Sequence, residues 1–143
     1  MTSDLAVQPA PVESEWAVFN DEGVDFLLDL RLEAKDASAL AENRGLGYRK
    51  LGFPEFEAPA PELLNEAALW VHRHISAGER VVVFCREGRG RSAMVCCAAL
   101  VLKGVQLQTA YRLVYRAQPL TTLSDAQTAA LEQFARSTSH DAD

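Results

Sequence analysis

The residues best equipped for chemistry are contiguous: Cys85-Arg86-Glu87-Gly88-Arg89-Gly90-Arg91-Ser92. A cysteine attacks as its thiolate, and cationic donors at a helix N-terminus favour that form. Gly88 and Gly90 permit the dihedrals with which successive main-chain N–H groups turn inward to make a nest for an anion. Arg91 adds a planar fork of donors for the same anion. Arg86, Glu87, Gly88, Arg89, Gly90 and Arg91 are therefore the candidate phosphate-binding residues, and Cys85 is the candidate nucleophile. In a chain with this many Cys, Arg, Ser and Thr, the C-x5-R-[S/T] spacing has a chance expectation of roughly 0.02, and of about 0.001 once Gly is required three residues after the cysteine. No metal or other cofactor is implied: His72 and His74 lie two apart on a helix, a poor spacing for a shared ion, and read as facing solvent.

Such a nest needs a strand that ends at the cysteine and a helix that begins at the arginine. Val81-Val82-Val83-Phe84 is apolar and largely β-branched, and predicts a strand over Arg80–Phe84 that is buried on both faces. Ala93–Lys103 predicts an apolar helix closed by Gly104, with Cys96 and Cys97 as core residues. Upstream, Val24–Leu30 and Tyr48–Phe53 read as strands, and Ala34–Asn43 and Glu62–Ser76 as helices. Pro54, Pro59 and Pro61 keep the segment between Tyr48–Phe53 and Glu62–Ser76 in a loop. Downstream come helices over Thr109–Ala117 and Asp125–Arg136, the second opened by a capping box from Ser124 and Gln127. Asp29 and Gln127 read as structural. The alternation predicts an α/β fold: a central, mostly parallel sheet flanked by helices.

At 143 residues, 48% hydrophobic and 24% charged, the chain has ordinary globular composition. One domain is expected over 15–136, with a disordered segment over 1–14 and a flexible tail over 137–143. The net charge of −6 argues against nucleic acid as a partner. Its distribution is uneven. Residues 1–43 hold ten acids against Arg31 and Lys35, whereas Arg80–Arg116 holds seven bases against Glu87 alone, as expected of a local anion site. Lys103, Arg112 and Arg116 read as solvated helix faces. The longest apolar run, Ala93–Leu102, has ten residues, too few to span a membrane. Asp4 stands where a secretory leader carries positive charge, and three cysteines are an odd count, so a reduced, cytoplasmic location is expected. Oligomeric state leaves no mark in the sequence.

The Cys85–Ser92 segment resembles the signature of the cysteine-based protein phosphatases. Val24–Leu30, the Pro54-Glu55-Phe56-Glu57-Ala58-Pro59 loop, the helix before Arg80 and the ending Ala117-Gln118-Pro119 resemble their compact dual-specificity branch in order and spacing, over residues 24–136. The resemblance implies a phosphatase-like fold with the Cys-x5-Arg loop between strand and helix, and a phosphomonoester hydrolase that forms phosphocysteine. In that reading Cys85 attacks phosphorus, while main-chain N–H groups and Arg91 hold the equatorial oxygens. Ser92 assists the departure of Cys85. Glu55 protonates the leaving oxygen and then activates water, with Glu57 as understudy. The chain departs from the family pattern twice, with Phe84 where His precedes the cysteine and Glu55 where the loop acid is Asp. The implied substrate is a phosphorylated protein or a small phosphomonoester. Arg86 and Arg89 also suit phosphoinositides or another polyanion. Two other readings compete. A sulfurtransferase closes its cysteine loop as C-x4-R, where this chain has Gly90, and a silent phosphate-binding module has no need of the thiol.

Overall fold

The computed structural model describes residues 4–141. The β-branched run builds β4 (Val81–Cys85), and every residue of it is buried because it has neighbours on both sides. With β1 (Leu5–Pro9), β2 (Phe26–Arg31) and β3 (Gly47–Phe53) it forms a four-stranded sheet in the order β1-β4-β2-β3, and every pairing is parallel. Alternation along β4 divides the interior. Val81, Val83 and Cys85 face the larger core, closed by α3 (Pro61–Ser76), α4 (Arg91–Leu102), α5 (Leu107–Ala117) and α6 (Asp125–Asp141). Val82 and Phe84 face a smaller one, with Trp16 of α1 (Glu13–Val18), Phe19 and Ala41 of α2 (Ser38–Asn43).

Helix α4 runs through the larger core against α3, α5 and α6, and is buried from Arg91 to Val101. It has no solvent face, which is why its sequence is apolar all round. Because the strands are parallel, the segments that leave β1, β2, β3 and β4 all emerge at one edge of the sheet, where ligands of α/β proteins bind.

Three expectations are corrected. The segment over 1–14 is not wholly without structure: Leu5–Pro9 pairs with β4 from Leu5↔Val81 to Pro9↔Cys85, and α1 starts at Glu13, while residues 1–3 lie outside the described residues. The strand is short and ends in proline, so it reads weakly as a sequence, yet proline is tolerated on an edge strand that needs no further donor. The tail over 137–143 is helical as far as Asp141, because α6 continues beyond Arg136, and residues 142–143 lie outside the described residues. The histidines do not both face solvent. His74 stacks on Phe26 with ring centroids 3.8 Å apart and hydrogen-bonds Glu79 through Nδ1 at 2.8 Å, and Nδ1 of His72 is buried.

Candidate active site

Cys85 is the last residue of β4 and is only 3% exposed. Its Sγ lies 3.2 Å from Oγ of Ser92, in the first turn of α4. Between them the loop Arg86–Gly90 is held from outside. The Ala10 N–H donates to the Arg86 carbonyl at 3.2 Å, and the Thr122 N–H donates to the Arg89 carbonyl at 2.8 Å. Among the described residues, main-chain N–H groups from Arg86 to Arg91 donate to no protein acceptor, so they remain available to an anion. Gly88 has φ of +71°, and a Cβ there would stand 2.6 Å from the Gln8 carbonyl carbon and from the Pro9 nitrogen. A side chain fits neither the left-handed backbone nor the space under β1.

Arg91 opens α4 with its side chain 1% exposed. Its Nη1 donates to Oε1 of Glu33 at 2.7 Å, to the Phe53 carbonyl at 2.9 Å and to the Leu30 carbonyl at 3.3 Å. Nη2 donates to Oε2 of Glu33 at 2.9 Å. The Arg91 hydrogen bonds hold the Glu33 carboxyl down at about 2, against a desolvation that pushes it up. Burial pulls the Arg91 guanidinium down, but its bonds and charge pairing with Glu33 outweigh this, so it stays protonated.

Glu55 follows β3 on the proline loop and is half-buried, its Oε2 3.8 Å from Nη1 of Arg86. It shares a cavity of about 210 Å³ with Cys85, Arg91, Phe56, Arg89 and Thr122. Phe56 has φ of +67°, uncommon for a residue with a side chain, and is 69% exposed. Helix α6 holds this loop. Ser124 and Gln127 make the expected capping box, each accepting the other's main-chain N–H at 3.1 Å. Both also reach across: Oγ of Ser124 donates to the Phe56 carbonyl at 2.7 Å, and Nε2 of Gln127 donates to the Glu57 carbonyl at 3.2 Å. The side chains of Glu87 and Arg89 are 52% and 49% exposed, so these residues rim the cavity rather than floor it, while Arg86, 67% exposed, stands beside Glu55 outside its lining.

Phe84 points to the opposite face and is fully buried, with the Arg31 guanidinium 5.0 Å from its ring centroid. Arg31 is fixed in turn by buried Asp29, which accepts Nε and Nη2 of Arg31 at 2.9 Å each and the Tyr48 hydroxyl at 2.7 Å. Burial foremost pushes Tyr48 up, so it remains the donor to Asp29.

The structure thus brings Cys85, Arg91, Ser92 and Glu55 to one end of the sheet, with the loop from Arg86 to Gly90 around them. A nucleophilic sulfur, a fixed cation, a set of main-chain donors and a carboxyl group within one cavity suit attack on a tetrahedral anion. Sequence reasoning missed Glu33, Thr122 and the Gln8–Ala10 support. The available signal for Glu33 was its place just past a strand's carboxyl end, where parallel sheets gather binding groups.

The family model for the polymorphic toxin system DSP-PTPase phosphatase matches residues 3–105. Dual specificity phosphatase 28 of Homo sapiens is 35% identical over 81 residues, 54% of this chain and 46% of that protein. Phosphatidylglycerophosphate phosphatase PTPMT1 of Arabidopsis thaliana is 33% identical over 78 residues, 54% of this chain and 23% of that protein. The chain thus spans about half the length or less of the curated relatives it matches. The crystal structure of Tk-PTP in the active form superposes with a TM-score of 0.84 at 26% identity, covering 93% of this chain and 92% of that one. The matched residues take in the sheet, the cysteine loop and α4, and the chain belongs to the polymorphic toxin system DSP-PTPase phosphatase family.

Proposed function

We propose that this chain hydrolyses phosphomonoesters through a phosphocysteine intermediate, as a dual-specificity-type phosphatase whose catalytic unit runs from β1 to residue 136. The observation that carries the reading is the placement of Cys85 and Arg91 at one cavity, with Cys85 Sγ 3.2 Å from Ser92 Oγ. The Cys85 thiolate attacks phosphorus as the P–O bond to the leaving group breaks, and Glu55 gives its proton to the departing oxygen. The equatorial oxygens are held by main-chain N–H groups of the loop and by Arg91. In the second half, Glu55 takes a proton from water as that water attacks phosphorus. The P–S bond breaks to release phosphate, and the Ser92 hydroxyl donates to the departing Cys85 sulfur.

A second reading concerns substrate rather than chemistry. Arg89 is half-exposed on the cavity rim, Arg86 is exposed beside Glu55, and the Arabidopsis relative is named for a lipid phosphate, so a substrate with further anionic groups fits as well as a phosphorylated protein. Among the described residues, no helix is long and apolar enough to cross a membrane.

The test is turnover of an aryl phosphate in the presence of EDTA. Activity is expected from the unaltered chain and loss of it from Cys85→Ser. Wild-type turnover by Cys85→Ser would sink the covalent mechanism.

A further inference from the structure

The stretch from Gly88 to Ser124 holds five bases and no acid, while the rest of the chain holds the other nine bases and all twenty acids. Of the five, Arg91 is buried in the site, Arg89 stands on its rim and Lys103 closes α4 at the far end. Arg112 and Arg116 lie on α5, whose buried residues are Ala110 and Val114. At about 100° per residue, Arg112 points directly away from that pair and Arg116 lies beside Arg112 on the outward face. Both arginines are exposed, and neither makes a salt bridge or a side-chain hydrogen bond among the described residues.

This face leads to the site. Helix α4 leaves the cavity at Arg91 and α5 returns toward it: the connection after Ala117 puts Thr122 on the cavity wall, with its N–H on the Arg89 carbonyl at 2.8 Å. Two large side chains are exposed along the return, Tyr115 at 42% and Leu120 at 60%. Arginine and tyrosine are the side chains enriched where proteins bind one another.

We propose that the outward face of α5, with Arg112, Tyr115 and Arg116, docks an acidic segment of a phosphorylated protein while its phosphoryl group occupies the site at Cys85. This rests on the phosphatase reading and names its substrate class. Arg112 and Arg116 are separated by roughly 6 Å along the helix axis. In an extended peptide, side chains two residues apart share a face at a spacing of roughly 6.6 Å, so carboxylates at alternate positions meet the two guanidinium groups. The direction of α5 favours a peptide over a bilayer. Its arginines are staggered along an axis that leads away from the cavity, so a plane resting on the mouth meets Arg116 and leaves Arg112 in water. An extended chain passes both. The acids elsewhere on the molecule repel such a segment and steer it to this face.

The probes are phosphotyrosyl peptides in matched pairs, with Glu at alternate positions about 4–10 residues from the phosphorylated residue in one member, and Gln at those positions in the other. One pair carries them on the carboxyl side and a second pair on the amino side. An exposed ion pair contributes about 1.5- to 5-fold at low salt. In the unaltered chain, kcat/KM is therefore expected to be roughly tenfold higher for the Glu member of at least one pair, and the difference to vanish in about 0.5 M salt. Arg112→Ala with Arg116→Ala should bring the ratio to about one and leave turnover of nitrophenyl phosphate unchanged. Arg73→Ala with Arg136→Ala, which removes the same charge at exposed positions of α3 and α6, should leave the ratio high. Equal kcat/KM for Glu and Gln members in the unaltered chain, or a high ratio that survives in the α5 variant, overturns the proposal. So does sedimentation with vesicles of phosphatidylcholine and phosphatidylglycerol that depends on the two arginines while the peptide ratio does not, since the partner is then a membrane. Turnover retained by Cys85→Ser would instead remove the phosphatase reading. Fluorescence anisotropy with unphosphorylated Glu and Gln peptides then still reports on α5, and equal affinity for the two would remove the docking surface as well.

Discussion

In the proposed mechanism, Glu55 is the residue on which the leaving-group step depends. It is half-buried in the cavity of Cys85 and Arg91, whereas Glu57 stands exposed and contributes its main-chain carbonyl to Gln127. The pair between Glu55 and Arg86 is 3.8 Å long with Arg86 67% exposed, so it adds little stability. General acid assistance contributes roughly 10² to 10⁴ in rate. Glu55→Gln should therefore slow hydrolysis of an alkyl phosphate by that order. It should slow a nitrophenyl phosphate much less, because a good phenolic leaving group needs little protonation. Equal losses on both substrates would remove Glu55 from the acid role, and a larger, leaving-group-dependent loss in Glu57→Gln would move that role two residues on. Phe84 makes a different point at this scale. Its side chain cannot hydrogen-bond, and it lies on the far face of β4, packed in the smaller core with Arg31 against its ring.

Three elements outside the strand–loop–helix unit shape the site. Strand β1 lies over Gly88 and reaches the Arg86 carbonyl through Ala10. The α5–α6 connection holds the Arg89 carbonyl through Thr122. The start of α6 ties down the proline loop at Phe56 and Glu57. Gly88→Ala probes the first of these. A left-handed alanine costs roughly 1–2 kcal/mol by itself. The added Cβ also meets main-chain atoms of Gln8 and Pro9 at 2.6 Å, and backbone cannot yield as a flexible side chain can. The variant should unfold at lower urea than the unaltered chain and bind inorganic phosphate weakly, since either the loop or β1 must shift. Unchanged phosphate inhibition together with an unchanged urea midpoint would show that β1 does not constrain the loop.

Across the molecule, one all-buried helix organises both stability and chemistry. Helix α4 presents Arg91 and Ser92 to the site from its first turn and fills the larger core with the rest of its length. Its two cysteines share that burial: desolvation pushes Cys97 up to about 12 and Cys96 well above its ordinary value. Cys85 is buried too, but it lines a cavity. Iodoacetamide at neutral pH should therefore label one of the three thiols in the native chain, and all three after denaturation. Native labelling of two or three thiols would mean that the core opens around α4 on the timescale of the reaction.

The cysteine loop, the strand before it, the helix after it and the α/β class were all legible in the amino-acid order. Each rests on short-range chemistry: β-branched runs, helix-stopping glycines and a nucleophile at fixed spacing from an arginine. Ser92 belongs with these because its contact with Cys85 spans a single turn of chain. Glu33's place past a strand end was visible, but its pairing was not, because its partner lies 58 residues away and the two meet only when β2 and β4 pair in parallel. Strand β1 was missed for the same reason: five residues ending in proline have weak intrinsic preference, and they become a strand only through the edge that β4 offers. Local pattern determined which residues are candidates for the chemistry. The parallel sheet decided which others hold them in place, because it gathers the ends of distant strands at one edge, a proximity that residue spacing along the chain does not encode.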